Sequence, residues 1–209
     1  MAKTIDVHSA RPSEAPRLAA VLAAAYGADP VWCWLVPCER ERHDRLLSFF
    51  NVLVEHVLRF GTATTTEQRD AVALWLEVCP KVSLLPDHHR LHEVLGEVYW
   101  RYYKLHRLTD AIHPYGAQHV FAPFIGVVPD RQGQGAGTAL VQHKLAASGL
   151  PVYLEATSSR NRKWCERLGF WQLPMRALLP DGPEVWSMWR SDRTRTPIPA
   201  QRVRLTEAR

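Results

Sequence analysis

The chain has 209 residues, 46% of them hydrophobic and eight of them Trp, with a formal net charge of +5. That length and apolar content fit one ordinary domain with a full core, and they exclude a disordered or fibrous chain. The modest positive charge suits a phosphate-bearing ligand. Without a basic stripe interleaved with aromatics, it makes no case for nucleic acid.

Residues 4–7 alternate and predict a first strand. Pro12-Ser13-Glu14 opens a helix to Ala25, with Leu18, Val21, Leu22 and Ala25 on one face. Asp29-Pro30 then starts a short aromatic stretch, Val31-Trp32-Cys33-Trp34-Leu35-Val36. Glu39–Phe60 is a long amphipathic helix with Leu46, Leu47, Phe50, Leu53, Val54 and Val57 as its stripe. Thr62–Thr66 and Ala71–Val78 read as a hairpin around Glu67-Gln68-Arg69-Asp70. Residues 84–113 read as helical and hold His88, His89, His92 and His106 beside Tyr99, Trp100, Tyr102 and Tyr103. His88 and His92 fall four apart on a helix, but no Cys or carboxylate cluster joins them, and no metal site is expected.

Residues 119–123 lead into Phe124-Ile125-Gly126-Val127-Val128, a short apolar run that predicts a buried strand. Pro123 is tolerated there only at an edge or bulge, and Pro129 ends the run. Next comes Gln132-Gly133-Gln134-Gly135-Ala136-Gly137-Thr138, feeding a helix that buries Ala139, Leu140, Leu145 and Ala146. A Gly-rich turn at a helix N-terminus is an anion site: N–H groups point outward and no Cβ blocks approach. A P-loop needs Gly-Lys-Ser/Thr, and Gly137 is followed directly by Thr138. The dinucleotide fingerprint G-x-G-x-x-G fails too, ending on Thr138 or Leu140. Val152–Ala156 is a strand with a carboxylate, Glu155, at its middle. A helix from Arg160 ends at a Gly169 cap, and residues 172–178 and 184–190 form a last hairpin across Pro180-Asp181-Gly182-Pro183. Residues 191–209 form a basic extension: Arg193, Arg195, Arg202, Arg204 and Arg209 against Asp192 and Glu207 place +3 of the +5 there. It reads as a solvated extension or a partner-binding arm. Cys33, Cys38, Cys79 and Cys165 lack C-x-x-C spacing, and neither a signal peptide nor a spanning apolar run is present. A reducing cytoplasm and no membrane are expected.

Gln132, Gly135 and Gly137 meet the pattern Q/R-x-x-G-x-G/A. One helix and a short turn later come the strand Val152–Ala156, Arg160-Asn161 and Trp164-Cys165-Glu166-Arg167-Leu168-Gly169-Phe170. The two motifs, in this order and spacing, resemble the GNAT superfamily of acetyl-CoA-dependent N-acetyltransferases. Residues 149–155 (GLPVYLE) and 179–186 (LPDGPEVW) are similar to the actinobacterial small-molecule acetyltransferases that include puromycin N-acetyltransferase. The resemblance implies a mixed α/β GNAT fold over residues 1–190. That fold is a splayed seven-stranded sheet flanked by helices, with an extra helical segment after the third strand. It also implies acetyl-CoA as co-substrate and a small-molecule amine, an antibiotic or natural-product intermediate, as acceptor. The protein is expected as a monomer or homodimer.

Site residues follow from the same resemblance. Gly126, Val127 and Val128 pair with pantetheine across the splay, and the N–H of Val127 or Val128 is the oxyanion donor. Gln132, Gly133, Gln134, Gly135, Ala136, Gly137 and Thr138 form the pyrophosphate loop; Asn161 is a pantetheine or helix-cap contact and Trp164 lines the cofactor, with Arg160, Arg162 and Lys163 near its phosphates or simply solvated. Trp32 and Trp34 border the acceptor or pack in the core. Residues 84–113 are the stretch least like the family, and their aromatics by themselves suggest a helical cover on the acceptor side. Glu155 is the favoured base, the other reading being a carboxylate paired with an Arg; His119 is the second candidate base, or a polar strand-edge residue. The family's Tyr acid is replaced by Cys165. Cys165 is then the acid, a transiently acylated nucleophile, or a plain buried Cys with water doing the work. Two rival functions remain: an acyl-CoA binder with weak catalysis, and an acyltransferase with another acyl-CoA or a hydroxyl acceptor.

Overall fold

The computed structural model describes residues 5–78, 84 and 86–191. Thr4, Cys79 and all of the basic extension after Ser191 lie outside the described residues. The sheet is built on β3 (Ala71–Val78), whose side chains alternate between two apolar layers. Val72, Leu74 and Leu76 enter one layer, Ala71, Ala73 and Trp75 the other, and none of the six is more than 1% exposed. A strand covered on both faces must be apolar throughout, which is why this run is nearly unbroken.

On one side of β3 lie β2 (Thr62–Thr66) and then β1 (Val7–Ser9), both antiparallel. The first strand thus starts later than local alternation predicts, because pairing of Val7 with Thr66 and Ser9 with Thr64 sets its limits. On the other side the order is β4 (His119–Ala122), β6 (Val152–Ala156), β8 (Glu184–Arg190) and β7 (Trp171–Leu178), with β4 and β6 parallel. Helices α1 (Ala15–Tyr26), α2 (Pro30–Leu35), α3 (Glu39–Phe60), α4 (His88–Leu95) and α5 (Tyr99–Ile112) pack on one face, and α6 (Ala136–Ala147) and α7 (Ser159–Arg167) on the other. α4 and α5 are therefore the expected helical segment after the third strand, and the whole is the GNAT topology. No helix among the described residues is long and apolar enough to cross a membrane.

The expected central strand is split in two, which brings the strands among the described residues to eight. β4 and β5 (Ile125–Val127) both pair antiparallel with β3, Phe121 opposite Leu76 and Ile125 opposite Ala73. Four residue steps on one strand thus oppose three on the other. That is a β-bulge, placed at Pro123-Phe124 where proline has no N–H to give a ladder.

Gly126 lies where α1 presses on β5. A Cβ there would stand 2.8 Å from Ala25 Cβ and 3.0 Å from Leu22 Cδ2. Gly126→Ala is expected to cost about 1–3 kcal/mol by overpacking, read as a lowered urea midpoint.

Candidate active site

The site follows from where two strands part. β4 runs beside β6 as far as Ala122 opposite Leu154. Beyond the bulge β5 stays with β3, while Glu155 and Ala156 of β6 stay with Ser187 and Trp186 of β8. Val128 N–H donates to Asp70 O and Leu74 N–H to Phe124 O, both at 2.9 Å. By the two-residue alternation of an antiparallel ladder, Gly126 also faces β3, and the polar groups of Ile125 and Val127 point into the gap. Of the three residues expected to offer free groups there, Val127 alone does so.

Side chains satisfy most of that edge. Tyr26 Oη donates to Ile125 O at 3.1 Å and accepts from Ile125 N–H at 3.3 Å. Gln132 Nε2 donates to Val127 O at 3.2 Å. Val127 N–H remains directed into the gap. Asp29, N-cap of α2 through Val31 N–H at 2.9 Å, also accepts from Thr157 Oγ1 beyond the end of β6. Asn161 Nδ2 lies 3.4 Å from the same hydroxyl, so a polar chain crosses from α2 to α7 at the mouth of the gap. Burial pushes the Asp29 carboxyl above its ordinary range, and its three donors oppose that.

The gap opens into a cleft of about 620 Å³. One wall is the turn before α6, where Gly133 at φ 77° and Gly135 at φ 95° adopt left-handed backbone that side chains disfavour. A Cβ on Gly133 would meet nothing within 4 Å, so its φ and open space for a ligand explain the glycine better than packing does. The first internal bond of α6 is Ala139 N–H to Gly135 O at 2.9 Å, which leaves the N–H groups of Ala136, Gly137 and Thr138 at the free end. Trp164 Nε1 donates to Thr138 Oγ1 at 3.2 Å and fixes α7 against that end. Arg131, Arg160 and Arg167 also line the cleft. N–H groups free to donate to phosphate, guanidinium groups at the wall and an open strand edge suit an extended phosphopantetheine chain. Gln134 instead turns back to Asp130 O at 3.1 Å, and Arg162 to Gln172 at 3.3 Å and Glu166 at 3.7 Å.

Glu155 lines this cleft and also a second cavity of about 100 Å³ on the α5 face of the sheet. Burial raises its carboxyl to about 7; a hydrogen bond from Tyr153 Oη at 3.2 Å opposes the shift and the charge of Asp110 adds to it. Among the described residues no Arg forms an ion pair with it.

Other expected residues stand elsewhere. His119 is wholly buried at the start of β4 and lines neither cavity. Its Nδ1 is 2.7 Å from Ala117 O, so Nδ1 carries the proton and Nε2 accepts from His113 Nε2 at 3.1 Å. Burial holds both rings neutral, His113 down to about 3. His119 is a satisfied core group, not a base at the gap. Trp32 packs on Phe49 and Phe50 with ring centroids 4.8 and 5.7 Å away, and Trp34 sits against Gly182 and Arg101; neither lines the cleft or the second cavity. Cys165 does line the cleft, but burial pushes its thiol up to about 12. Among the described residues no group of His, Cys, Asp or Glu is placed to hold a metal. Sequence reasoning did not place Tyr26, Asp29 or Thr157 in the site. Asp29-Pro30 announces a helix start, but nothing local joins it to Thr157.

A splayed sheet with a glycine turn at the opening of the splay is the hallmark of the GNAT acyltransferase fold. No family model matches the sequence. Among solved structures, a histone acetyltransferase HPA2 and related acetyltransferase from Corynebacterium glutamicum superposes with a TM-score of 0.69 at 25% identity, covering 90% of this chain and 97% of that one. Arylalkylamine N-acetyltransferase 2 from Aedes aegypti gives 0.63 at 12% identity over 90% and 99%. A GCN5-related N-acetyltransferase from Rhodopseudomonas palustris gives 0.53 at 14% over 91% and 98%. The likeness is to acetyltransferases of this superfamily as a class, at low identity.

An acid whose folded pKa exceeds its unfolded one weakens folding as pH rises from the ordinary 4.5 to about 7, and the loss persists above that. Glu155→Gln removes this loss. Relative to wild type, the variant is expected to gain thermal stability between pH 5 and pH 8, checked by melts at both.

Proposed function

We propose that the protein transfers an acetyl group from acetyl-CoA to a small-molecule amine by direct attack. The observation that carries this reading is the convergence of Val127 N–H and the Glu155 carboxyl on one gap, at the end of a cleft shaped for phosphopantetheine. The thioester supplies the electrophilic carbon, and this chain positions it and moves protons. Val127 N–H is the donor for the oxygen on which negative charge develops. Glu155, near neutrality in its pKa, takes a proton from the entering ammonium. As the amine nitrogen bonds to the acyl carbon, the carbon–sulfur bond breaks, and the second nitrogen proton ends on sulfur. The products are an amide and a thiol.

Cys165 is poorly matched to protonate that sulfur, since a thiol near 12 gives up its proton less readily than the thiol it would form. Solvent in the open cleft serves instead. The same shift argues against an acyl-cysteine, because the thiolate is the nucleophile. The weakly catalytic binder remains the second reading, favoured by this one substitution. An antibiotic or natural-product acceptor rests on the resemblance of residues 149–155 and 179–186, and the choice of acyl chain and of amine over hydroxyl belongs to the same proposal. So do the domain limits 1–190 and 191–209 and a monomeric or homodimeric state.

Calorimetric titration with acetyl-CoA, CoA, a longer acyl-CoA and ATP tests the first step; binding within the CoA series and none of ATP is expected. Turnover of an amine panel that includes puromycin tests the second. Glu155→Gln is expected to lower kcat/KM by roughly 10²–10⁴-fold with acetyl-CoA affinity unchanged. Wild-type activity should rise with pH to a plateau above about 7, as the base loses its proton. A variant with wild-type rates across that range removes Glu155 as the base. After incubation with acetyl-CoA alone, the intact mass is expected to show no acetyl adduct; an adduct lost in Cys165→Ser would restore the acyl-cysteine.

A further inference from the structure

The cavity behind Glu155 belongs to the helical segment that follows β3. Leu53, Leu105, Phe121 and Phe124 give it apolar walls, and Asp110 and Glu155 face into it. Asp110 is held in place by a hydrogen bond from Tyr115 Oη. The two carboxyls are close enough for the charge of Asp110 to act on Glu155. No Lys or Arg is among the described lining residues, and burial keeps His106 and His113 from countering that charge. Two carboxyls facing one small apolar space repel each other, and an ammonium between them relieves both.

Size narrows the ligand further. A cavity of about 150 Å³ admits benzene, so about 100 Å³ within these walls holds a body of roughly four or five non-hydrogen atoms. A further charge placed against Leu53, Leu105 and Phe121 would be buried at a cost no described partner offsets.

Resting on the acetyltransferase reading above, we propose that this cavity is the acceptor pocket. Its ligand is a primary monoamine on a compact apolar body, and Asp110, oriented by Tyr115, holds the ammonium while Glu155 takes its proton. Asp110 is then a specificity-determining residue of the acceptor, separate from the CoA cleft.

The test titrates isobutylamine, 2-phenylethylamine and spermidine calorimetrically into the CoA-bound protein, and assays each with acetyl-CoA. Wild type, Asp110→Asn and Leu105→Trp are compared. Isobutylamine is expected to bind and to be acetylated with the highest kcat/KM. Asp110→Asn should raise its Kd and KM roughly tenfold or more, with acetyl-CoA affinity unchanged. Leu105→Trp, which fills the cavity, should abolish amine binding while CoA still binds. Unchanged amine affinity in both variants, or a preference for either larger amine, overturns the proposal and leaves the acetyl-CoA reading standing. Loss of CoA binding in the wild type overturns both.

Discussion

Backbone polar groups cannot be left unpaired where water is scarce, and the structure turns on how that requirement is met where β5 and β6 part. A strand that leaves its neighbour exposes a row of donors and acceptors. Here Tyr26 takes both groups of Ile125, and Gln132 takes the carbonyl of Val127. Val127 N–H is what remains directed into the gap. The splay is held open from within the fold, because the tyrosine and glutamine occupy positions that a paired strand would otherwise fill. Gly126 completes the arrangement by letting α1, which carries Tyr26, lie directly on β5.

Burial then sorts the ionisable groups by chemistry. The same loss of water lifts Glu155 to about 7, lifts Cys165 to about 12 and lowers His113 to about 3. A carboxyl moved toward neutrality becomes able to accept a proton and give it back. A thiol moved away from it becomes inert, and a pair of neutral histidines becomes filler that satisfies its own hydrogen bonds. Distance from the gap sharpens the division, since Glu155 lies at the end of β6 that opens and His119 at the end of β4 that stays closed.

Elements governed by local pattern were readable from sequence. α3, β2 and β3 have the limits that their periodicity predicts, and the glycine turn with its following helix lies where the motif placed it. The strand break at Pro123 was legible in kind, because proline cannot serve a central ladder. What escaped depended on partners far away in the chain. Which of Gly126, Val127 and Val128 faces the gap is a matter of ladder phase on β3, a pairing that no single segment displays. For Trp32 and Trp34 the sequence leaves pocket wall and core equally open, because aromatic residues suit both roles, and Phe49, Phe50 and the β7–β8 turn decide between them. The raised acidity range of Glu155 depends on the packing around it and on Asp110, 45 positions earlier in the chain.

The polar chain from Asp29 through Thr157 to Asn161 has a bearing on how the molecule is made. Its first member leaves the ribosome early and its second only 128 residues later. Until then α1 can already meet α3, β3 and β5, but Asp29 at the start of α2 and the outward edge of β5 lack the strand end that frames them. At a synthesis rate of roughly 5–20 residues per second, that interval lasts on the order of 6–26 seconds. The nascent chain passes through it with a half-built sheet and an exposed strand edge, the condition in which pairing with other chains is most readily made.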